Sequence, residues 1–340
     1  MATIAADLLQ LQLTDEILQR LRQAVAEKAR AELGNIVERW LISSANSNAR
    51  ACVYLHMSLD IGATANKKMA AEIAEKKLAL PRAAMQLVQQ VLDTVSAHRA
   101  ALQSAADSAD AAIVECNGSL SCRLGQSRVE FRQPLTAATE ALVRLGGSTA
   151  AVAAALRYAA LAPGGQQWGL PRAHVQFLYD SFGVRNEAFA SPLNSRLLGL
   201  PDARFCSLFP DTDGVFGSIG DFFAVDMAAL PGNWVVNPPF VEALIERAAR
   251  KCIAAVEAAR AAGGALTVFF VAPDWRDAEF HRLLKEAATA SLRLTPGRYF
   301  YESPAGDRIP TRAASAYFAL CADGAGADGA IRALHQVYDA

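Results

Sequence analysis

The chain has 340 residues, 52% of them hydrophobic, with 33 basic and 34 acidic residues. This length and apolar content suit two domains with a sizeable core, and the near-zero net charge argues against a protein that coats nucleic acid without specificity. An uninterrupted apolar stretch of about twenty residues, which a membrane-spanning helix needs, does not occur. Residues 1–16 contain acids and no basic leader region. We therefore expect a protein inside the cell with no membrane partner.

The N-terminal part is predicted to be helical. Thr14-Asp15-Glu16 is typical of a helix N-terminus that precedes an apolar face. Further helices are predicted through Trp40, over residues 67–78 and, after the break at Pro81, over residues 85–92. A polar stretch and the turn sequence Asn117-Gly118-Ser119 then indicate a boundary or a hairpin. We predict a helical N-terminal domain over residues 1–122 and a second domain over residues 123–340.

The second domain is predicted to have an α/β fold with a doubly wound, Rossmann-like sheet over about residues 185–325. A short strand pair is expected around Gly125, then helices over 136–145 and 149–160 and one that begins near Pro171. The sheet strands are predicted at 188–190, 205–209, 222–225, 234–236 and 266–271, with a crossover helix over 242–262 and an antiparallel edge strand over 314–320.

Metal ligands are not expected. The five histidines are dispersed, and the six cysteines contain no C-x-x-C pair, unlike the clustered ligands of a structural zinc site. Cys116 and Cys122 flank a turn, but reduced thiols are the usual state inside cells. The sequence thus predicts no metal site.

A strand over residues 234–236 stops on Asn237-Pro238-Pro239-Phe240. Two consecutive prolines can continue neither a strand ladder nor a helix interior, so they hold a rigid, extended loop. Loops at the carboxyl ends of parallel strands are where open α/β sheets bind ligands. The tetrapeptide is also compatible with an ordinary turn after a buried strand.

The residue types of this loop suit methyl transfer to a conjugated nitrogen, such as adenine N6 or a carboxamide nitrogen. Such a nitrogen is a poor nucleophile because its lone pair is delocalised. The Asn237 side-chain oxygen and the Pro238 carbonyl provide two acceptors for its two N–H bonds, which leaves the lone pair to point at an electrophilic carbon. Phe240 would stack on a planar base. The loop therefore predicts catalytic roles for Asn237, Pro238, Pro239 and Phe240.

The order of several motifs resembles that of the cap-specific adenosine N6-methyltransferase family, the phosphorylated-CTD-interacting-factor type. The resemblance covers roughly residues 125–320 and is densest over 167–276. The motifs that carry it are Ser191-Pro192-Leu193-Asn194, Phe209-Pro210-Asp211-Thr212-Asp213 and Asn237-Pro238-Pro239-Phe240, flanked by Leu170-Pro171, Phe182-Gly183-Val184 and Pro273-Asp274-Trp275-Arg276.

The resemblance implies a class I methyltransferase that uses S-adenosylmethionine to methylate N6 of the first transcribed adenosine beside the 7-methylguanosine cap of mRNA. A 5'-capped, adenosine-first RNA would be the substrate, and the protein would be nuclear, or otherwise cytoplasmic. The residues that would bind the methyl donor follow the first strand as Ser191, Pro192, Leu193 and Asn194. Gln167 precedes the Leu-Pro motif and would reach the same donor; its alternative is a flexible surface loop.

Three carboxylates complete the predicted donor site. Asp211 and Asp213 precede a glycine, and Asp226 follows a predicted strand. A carboxylate there can accept hydrogen bonds from ribose hydroxyls, by analogy with dinucleotide folds, or from the donor's ammonium group. Asx turns before glycine explain Asp213 equally well without a ligand.

The sequence departs from the resembled family in one respect. Characterised members carry a WW module that binds a phosphorylated polymerase tail, whereas the tryptophans here lie far apart, so we expect neither the module nor tail binding. They are Trp40, Trp168, Trp234 and Trp275.

A basic, aromatic stretch over residues 276–312 suits docking of phosphates and a stacked base. A solvated helix and hairpin with core aromatics is its alternative. The basic residues are Arg276, Arg282, Lys285, Arg293, Arg298, Arg308 and Arg312, with Tyr299, Phe300 and Tyr301 interleaved.

Other functions also fit the sequence. The same loop chemistry serves enzymes that methylate internal RNA, DNA adenine or a protein glutamine amide. A degenerate methyltransferase fold that acts as a binding scaffold is the non-enzymatic alternative, and the intact Asn-Pro-Pro-Phe sequence argues against it.

Overall fold

The structure is a computed structural model that describes residues 4–24, 36–37, 39–41, 63–75, 82–90, 93, 111–116, 118–124, 130–134, 136–161, 167–311 and 313–323. The chain divides into two compact units, Met1–Gln166 and Gln167–Ala340. This division does not coincide with the domain boundary expected after residue 122, which stays a prediction. The helices predicted through Trp40 and over 67–92 lie partly outside the described residues.

The first unit contains helices α1 (Ile4–Ala24), α2 (Ala63–Glu75) and α3 (Ala137–Ala159). Thr14 lies inside α1 and does not cap a helix, so that prediction was wrong. The apolar face continues to its N-terminal side, where Ala5 and Leu8 are buried. The Thr14 hydroxyl instead donates a buried hydrogen bond of 2.7 Å to the Ala160 carbonyl.

A three-stranded antiparallel sheet follows in the same unit. Its strands are β1 (Ala111–Cys116), β2 (Ser119–Leu124) and β3 (Glu130–Pro134), in the order β1-β2-β3. The predicted hairpin is confirmed, because β1 pairs with β2 around Gly118, whose φ of 68° favours glycine. Since β1 and β2 fall within the range predicted as a helical domain, a purely helical N-terminal domain is not confirmed.

Helix α3 joins the two helices predicted over 136–145 and 149–160. Gly147 interrupts it with φ 81° and ψ 166°, and Thr136 caps its N-terminus by accepting from the Thr139 N–H. Arg157 of α3 pairs with Asp7 of α1 at 2.6 Å, and both side chains are fully buried. A buried pair of this kind is costly to break, because either partner alone leaves an uncompensated charge.

The second unit is built on a six-stranded sheet in the order β5-β4-β6-β7-β11-β8. Strands β4 to β7 pair in parallel, and β11 is antiparallel to both of its neighbours. The predicted α/β architecture is therefore confirmed, and the sheet is compatible with a Rossmann-like fold. The strands are β4 (Val184–Ala190), β5 (Arg204–Ser207), β6 (Asn233–Val236), β7 (Thr267–Pro273), β8 (Ala290–Leu294) and β11 (Ser315–Cys321).

Short elements and helices complete this unit. The hairpin strands β9 (Phe300–Glu302) and β10 (Arg308–Pro310) pair with each other. The helices are α4 (Arg172–Phe182), the single turn α5 (Pro210–Asp213), α6 (Glu242–Ala261) and α7 (Glu279–Ala287). The predicted crossover helix is confirmed as α6. It ends at Ala261 and is followed by Gly263, whose φ is 67°, with the Gly264 N–H donating to the Ala259 carbonyl.

Side chains alternate between the two faces of the sheet, as the period of two in a strand requires. Trp234 and Val236 pack on one face with Phe270, among residues of α6 and α7. Val235 packs on the other face with Phe269 and Tyr317, among residues of α4. Both faces are therefore covered, which is typical of a largely parallel sheet.

Two strand predictions in this unit were wrong. Residues 222–225 form turns, because the carboxylates of Asp221 and Asp226 accept from backbone N–H groups two residues ahead. The segment beside β5 is instead residues 218–220, where the Ile219 N–H donates to the Phe205 carbonyl. The antiparallel strand β11 is not an edge strand, since it lies between β7 and β8.

Candidate active site

Four parallel strands end at the same edge of the sheet. Strand β4 ends at Ala190, β5 at Ser207, β6 at Val236 and β7 at Pro273. Because neighbouring parallel strands run in one direction, the loops that follow them share this edge, where α/β sheets bind ligands. The prediction that the loops with Asn194, Asp213 and Asn237 share one edge is confirmed.

The Asn-Pro-Pro-Phe loop connects β6 to α6. Pro238 is buried, and the Val241 N–H donates to the Pro239 carbonyl at 2.7 Å, which closes a tight turn before the helix. Among the described residues, the Asn237 Oδ1 atom is enclosed and accepts no hydrogen bond. An enclosed acceptor without a donor costs about 1–3 kcal/mol, so its retention calls for an explanation.

Phe240 lies in an aromatic group. Its ring meets Trp275 at 6.4 Å between centroids and Tyr301 at 6.0 Å, both in edge-to-face geometry. The Tyr301 hydroxyl is in turn 3.0 Å from the Ser315 hydroxyl. These contacts fix the orientation of the half-buried Phe240 ring, which lies in the same loop as Asn237.

The loop after β4 is held by its own polar side chains and by Gln167. The Asn194 Oδ1 atom accepts from the Ser191 N–H at 2.7 Å and from the Ser191 hydroxyl at 3.0 Å. Asn194 Nδ2 donates to the Gln167 carbonyl, and the Ser191 hydroxyl also lies 3.1 Å from Gln167 Oε1. Three of the predicted donor-site residues, Gln167, Ser191 and Asn194, are thus brought together.

The other two loop residues differ in burial. Pro192 is buried, whereas Leu193 is half-buried.

Since Asn194 uses both ends of its amide inside the protein, its observed contacts stabilise the loop. Gln167 Nε2 makes no hydrogen bond with the described residues, so this amide group keeps two donors for another molecule.

The three predicted carboxylates are placed differently. Asp213 is fully buried and Asp211 is exposed, both in the single turn α5 after β5. Asp226 is exposed and accepts from the Ala228 N–H at 3.0 Å in an Asx turn. Because residues 222–225 form no strand, Asp226 does not lie at a strand end, and the analogy used to select it fails.

Sequence reasoning missed the carboxylate that supports the loop after β4. Glu187 Oε2 accepts from the Ser195 hydroxyl at 2.8 Å and from the Arg196 N–H at 3.0 Å. Burial raises the pKa of Glu187, although these hydrogen bonds and the charge of Arg196 oppose the shift. A charged residue immediately before the strand predicted over residues 188–190 was the signal that could have identified it.

Arg196 extends this support to the segment around Gly169. Its Nε donates to the Leu170 carbonyl at 2.9 Å, and its terminal nitrogen lies 3.4 Å from Glu302 Oε2. Gly169 and Glu302 exchange backbone hydrogen bonds of 2.9 Å. Glu187, Arg196 and Glu302 therefore hold the Gln167 segment against the loop after β4.

Asp274, immediately after β7, was also missed. Its carboxylate is almost fully enclosed and binds Arg293 at 2.7 Å, His281 at 3.0 Å and Arg276 at 3.3 Å. Burial alone would raise the pKa of Asp274, but hydrogen bonds from Arg293 and His281 and the charge of Arg276 lower it below its ordinary value. The carboxylate is thus charged at neutral pH.

Within the described part of the chain, no helix is long and apolar enough to cross a membrane. Nor do the described residues contain a group of three or more His, Cys, Asp or Glu side chains that could hold a metal ion.

Comparisons with known proteins match the region that contains this site. A family model described as the phosphorylated CTD interacting factor 1 WW domain matches residues 148–295. The mRNA (2'-O-methyladenosine-N(6)-)-methyltransferase of Homo sapiens is 45% identical over 82 residues, 24% of this chain and 11% of that protein. The protein of the same name from Mus musculus is 44% identical over 82 residues, with the same coverage. The family resemblance is confirmed. The match nevertheless spans only 11% of the length of these relatives.

The name of the matching family includes a WW domain, which runs against our expectation that the chain lacks one. The described residues in the matched range form the C-terminal part of α3, helices α4 to α7 and strands β4 to β8 of the largely parallel sheet. The tryptophans there, Trp168, Trp234 and Trp275, are widely separated in sequence. Because the name of the family and this geometry point in different directions, polymerase-tail binding is tested by direct measurement.

Proposed function

We propose that this chain is an S-adenosylmethionine-dependent methyltransferase that methylates N6 of adenosine in RNA, most directly the cap-adjacent first nucleotide of mRNA. One observation carries the proposal. The enclosed Asn237 Oδ1 atom accepts no hydrogen bond from the described residues, and it lies in a rigid loop at the ligand-binding edge of the sheet. An amino group with two N–H bonds supplies the donor that this oxygen lacks.

The Asn-Pro-Pro-Phe loop then promotes methyl transfer by orienting the acceptor amino group. The Asn237 oxygen and the Pro238 carbonyl hold the two hydrogens of the amino group, and Pro239 keeps the loop rigid. Holding both hydrogens directs the nitrogen lone pair out of conjugation, and the same acceptors stabilise the positive charge that develops on nitrogen. Phe240 covers the flat face of the base. The methylated nitrogen is acidic and loses its proton to water, so no general base is needed.

The neighbouring loop suits the methyl donor. S-adenosylmethionine supplies an electrophilic methyl group on a sulfonium ion when it is bound. The Gln167 amide would donate to its carboxylate, and the loop of Ser191, Pro192, Leu193 and Asn194 would enclose it, with Asn194 keeping that loop closed. Asp211 and Asp213 would bind its polar hydroxyl or ammonium groups from the loop after β5. Asp226 contributes least, because its carboxylate is occupied in an exposed turn.

The names of the relatives support an mRNA adenosine acceptor over the other candidates. A nuclear location is part of the same proposal. The sheet order is consistent with a class I methyltransferase, with the donor and acceptor loops on adjacent strands β4 and β6. We retain the division into a helix-rich domain over residues 1–122 and a methyltransferase domain over residues 123–340 as part of the proposal. Internal RNA, DNA adenine and a protein amide are alternative acceptors.

The test is a panel of acceptors incubated with labelled S-adenosylmethionine. It contains capped and uncapped adenosine-first RNA, a DNA strand of the same sequence and a glutamine peptide. We expect label in the capped RNA well above the others. Strong label in the DNA strand or in the peptide alone would show that DNA adenine or a protein amide is the acceptor instead of RNA. Failure to bind S-adenosylmethionine would favour the non-enzymatic binding scaffold. Binding of a phosphorylated polymerase-tail peptide is measured in parallel.

A further inference from the structure

A pair of exposed arginines lies beside the Asn-Pro-Pro-Phe loop. Arg276 follows β7, and Arg293 lies on β8; their side chains are 67% and 51% exposed. Both are tied to the same carboxylate, that of Asp274, which is only 6% exposed. An enclosed carboxylate therefore orders two long side chains that would otherwise be free to move, which lowers the entropy lost when they bind a ligand.

Both arginines reach Asp274 through Nε alone. The Arg293 Nε donates at 2.7 Å, and the Arg276 Nε lies 3.3 Å from the same oxygen. The terminal nitrogens of both guanidinium groups make no hydrogen bond with the described residues. Two parallel N–H groups on a planar guanidinium match the geometry of a phosphate better than the single ammonium of lysine does.

The charge balance at this place favours an anion. Two arginines face one carboxylate, so the cluster keeps a net charge of about +1. Arg282, on the neighbouring helix α7, differs because its guanidinium is paired with both Glu279 and Glu286. The exposed, unpaired donors are thus concentrated on Arg276 and Arg293.

An aromatic ring links these arginines to the acceptor loop. Trp275 is 41% exposed, which is high for so large an apolar side chain. One side of it packs against Phe280 at 5.9 Å, and it meets the Phe240 ring at 6.4 Å. A nucleic acid combines the two chemistries needed here, because its bases stack on aromatic rings and its phosphates bind guanidinium groups.

We propose that Trp275, Arg276 and Arg293 form a docking surface for the RNA acceptor, in which the arginines bind its phosphodiester backbone and Trp275 stacks on a base that neighbours the target adenosine. This inference rests on the proposed function, since it assumes that the acceptor at Asn237 belongs to RNA. It accounts for the exposed tryptophan and for the arrangement in which each arginine is anchored by Nε. Of the basic, aromatic stretch over residues 276–312, this surface uses Arg276 and Arg293. Tyr299 and Tyr301 are buried in the core, as the alternative interpretation of that stretch expected.

The first experiment compares the Arg276→Gln/Arg293→Gln double variant with the wild-type chain. RNA affinity is measured by fluorescence anisotropy across a range of salt concentrations, with capped adenosine-first RNA as the probe. Loss of two phosphate contacts should reduce the slope of log affinity against log salt by about 1.4, since each contact on a single strand contributes about 0.7. The KM for RNA should rise roughly tenfold or more. Affinity for S-adenosylmethionine should not change.

Arg282→Gln is the matched control, because it removes one equally exposed arginine whose guanidinium is already paired. Its salt slope should stay within experimental error of wild type. The Arg276→Lys/Arg293→Lys variant keeps both charges but lacks the forked donors. We expect it to retain the salt slope and to lose most of the affinity that the glutamine variant loses. Thermal unfolding of each variant verifies that loss of binding is not loss of fold.

The outcomes separate the two proposals. If wild type methylates RNA while the glutamine variant keeps the wild-type KM and salt slope, the docking surface is refuted and the proposed function stands. If wild type binds RNA with the arginine-dependent slope but transfers no methyl group to it, the docking surface stands and the proposed function is refuted. Wild type that neither binds nor methylates RNA refutes both.

Discussion

Replacing Asn237 by alanine should lower the rate of methyl transfer and leave the free energy of unfolding almost unchanged. The Asn237 Oδ1 atom accepts no hydrogen bond from the described residues, so its removal breaks no internal hydrogen bond. Removal also relieves the cost of an unsatisfied enclosed acceptor, about 1–3 kcal/mol, which offsets the packing lost with the side chain. We therefore expect the free energy of unfolding of Asn237→Ala to stay within about 1 kcal/mol of wild type.

Turnover should respond very differently. If Asn237 holds one hydrogen of the target amino group, alanine leaves that group unoriented and its developing charge unstabilised. Loss of one preorganised polar group of this kind typically lowers kcat by about 10²–10³-fold. The assay is single-turnover methyl transfer to capped adenosine-first RNA, alongside donor affinity by calorimetry, which should not change.

Asn194→Ala is the matched control at the same sheet edge. Its side chain makes three hydrogen bonds, two to Ser191 and one to Gln167. At about 0.5–1.5 kcal/mol each, their loss should cost on the order of 2–4 kcal/mol and lower Tm by about 5–15 °C. Turnover of Asn237→Ala within tenfold of wild type would refute the role of Asn237. A stability loss as large as that of Asn194→Ala would show that Asn237 is structural.

Three further outcomes are expected. Phe240→Ala should raise the KM for RNA by about 10-fold or more, because a base stacked on an aromatic ring gains about 1–3 kcal/mol; an unchanged KM in steady-state assays would exclude stacking. Asp7→Ala should destabilise the chain by about 3–5 kcal/mol in urea unfolding, since it removes a fully buried carboxylate that pairs with the buried Arg157 guanidinium; a loss below 1 kcal/mol would contradict the buried pair. The pKa of Asp274 is lower in the folded protein than its ordinary 3.8, so its stabilising contribution is full above that pH and is lost as the pH falls through the lower, folded pKa. The Tm difference between wild type and Asp274→Asn should therefore shrink below about pH 4, and a difference that stays constant in acid would contradict the shift.

The sheet could largely be predicted because its strands are short apolar runs bounded by proline, glycine and polar turns. Strand β6 and helix α6 illustrate this, since Pro238 and Gly263 mark their ends. Residues 222–225 were mistaken for a strand because Phe222 and Phe223 are apolar. The sequence alone does not show that Asp221 and Asp226 turn the backbone on either side of them.

The N-terminal helix begins at Ile4, earlier than the start that was predicted at Thr14. Thr14 has the residue type of a cap, and only the tertiary contact with the Ala160 carbonyl shows that its hydroxyl is used inside the helix. The position of β11 was also wrong, because strand order depends on long-range pairing with β8, which leaves no local signal.

The loops of the candidate site were predicted better than the residues that hold those loops in place. The motifs identified the loops with Ser191 and Asn237 because their sequences are specific. The carboxylates that orient their surroundings, Glu187 and Asp274, were missed since each looks like an ordinary charged residue until its partners are known. Asp226 was selected by analogy with a strand end that does not exist.

The central claim is that the amino group of adenosine binds at Asn237 and receives the methyl group. It is tested most directly by mass-spectrometric nucleoside analysis after incubation of wild type and Asn237→Ala with labelled S-adenosylmethionine and capped adenosine-first RNA. The account predicts label on N6 of the first adenosine with wild type and at least about a hundredfold less with Asn237→Ala. Label at another atom, or equal N6 label with both proteins, would contradict it.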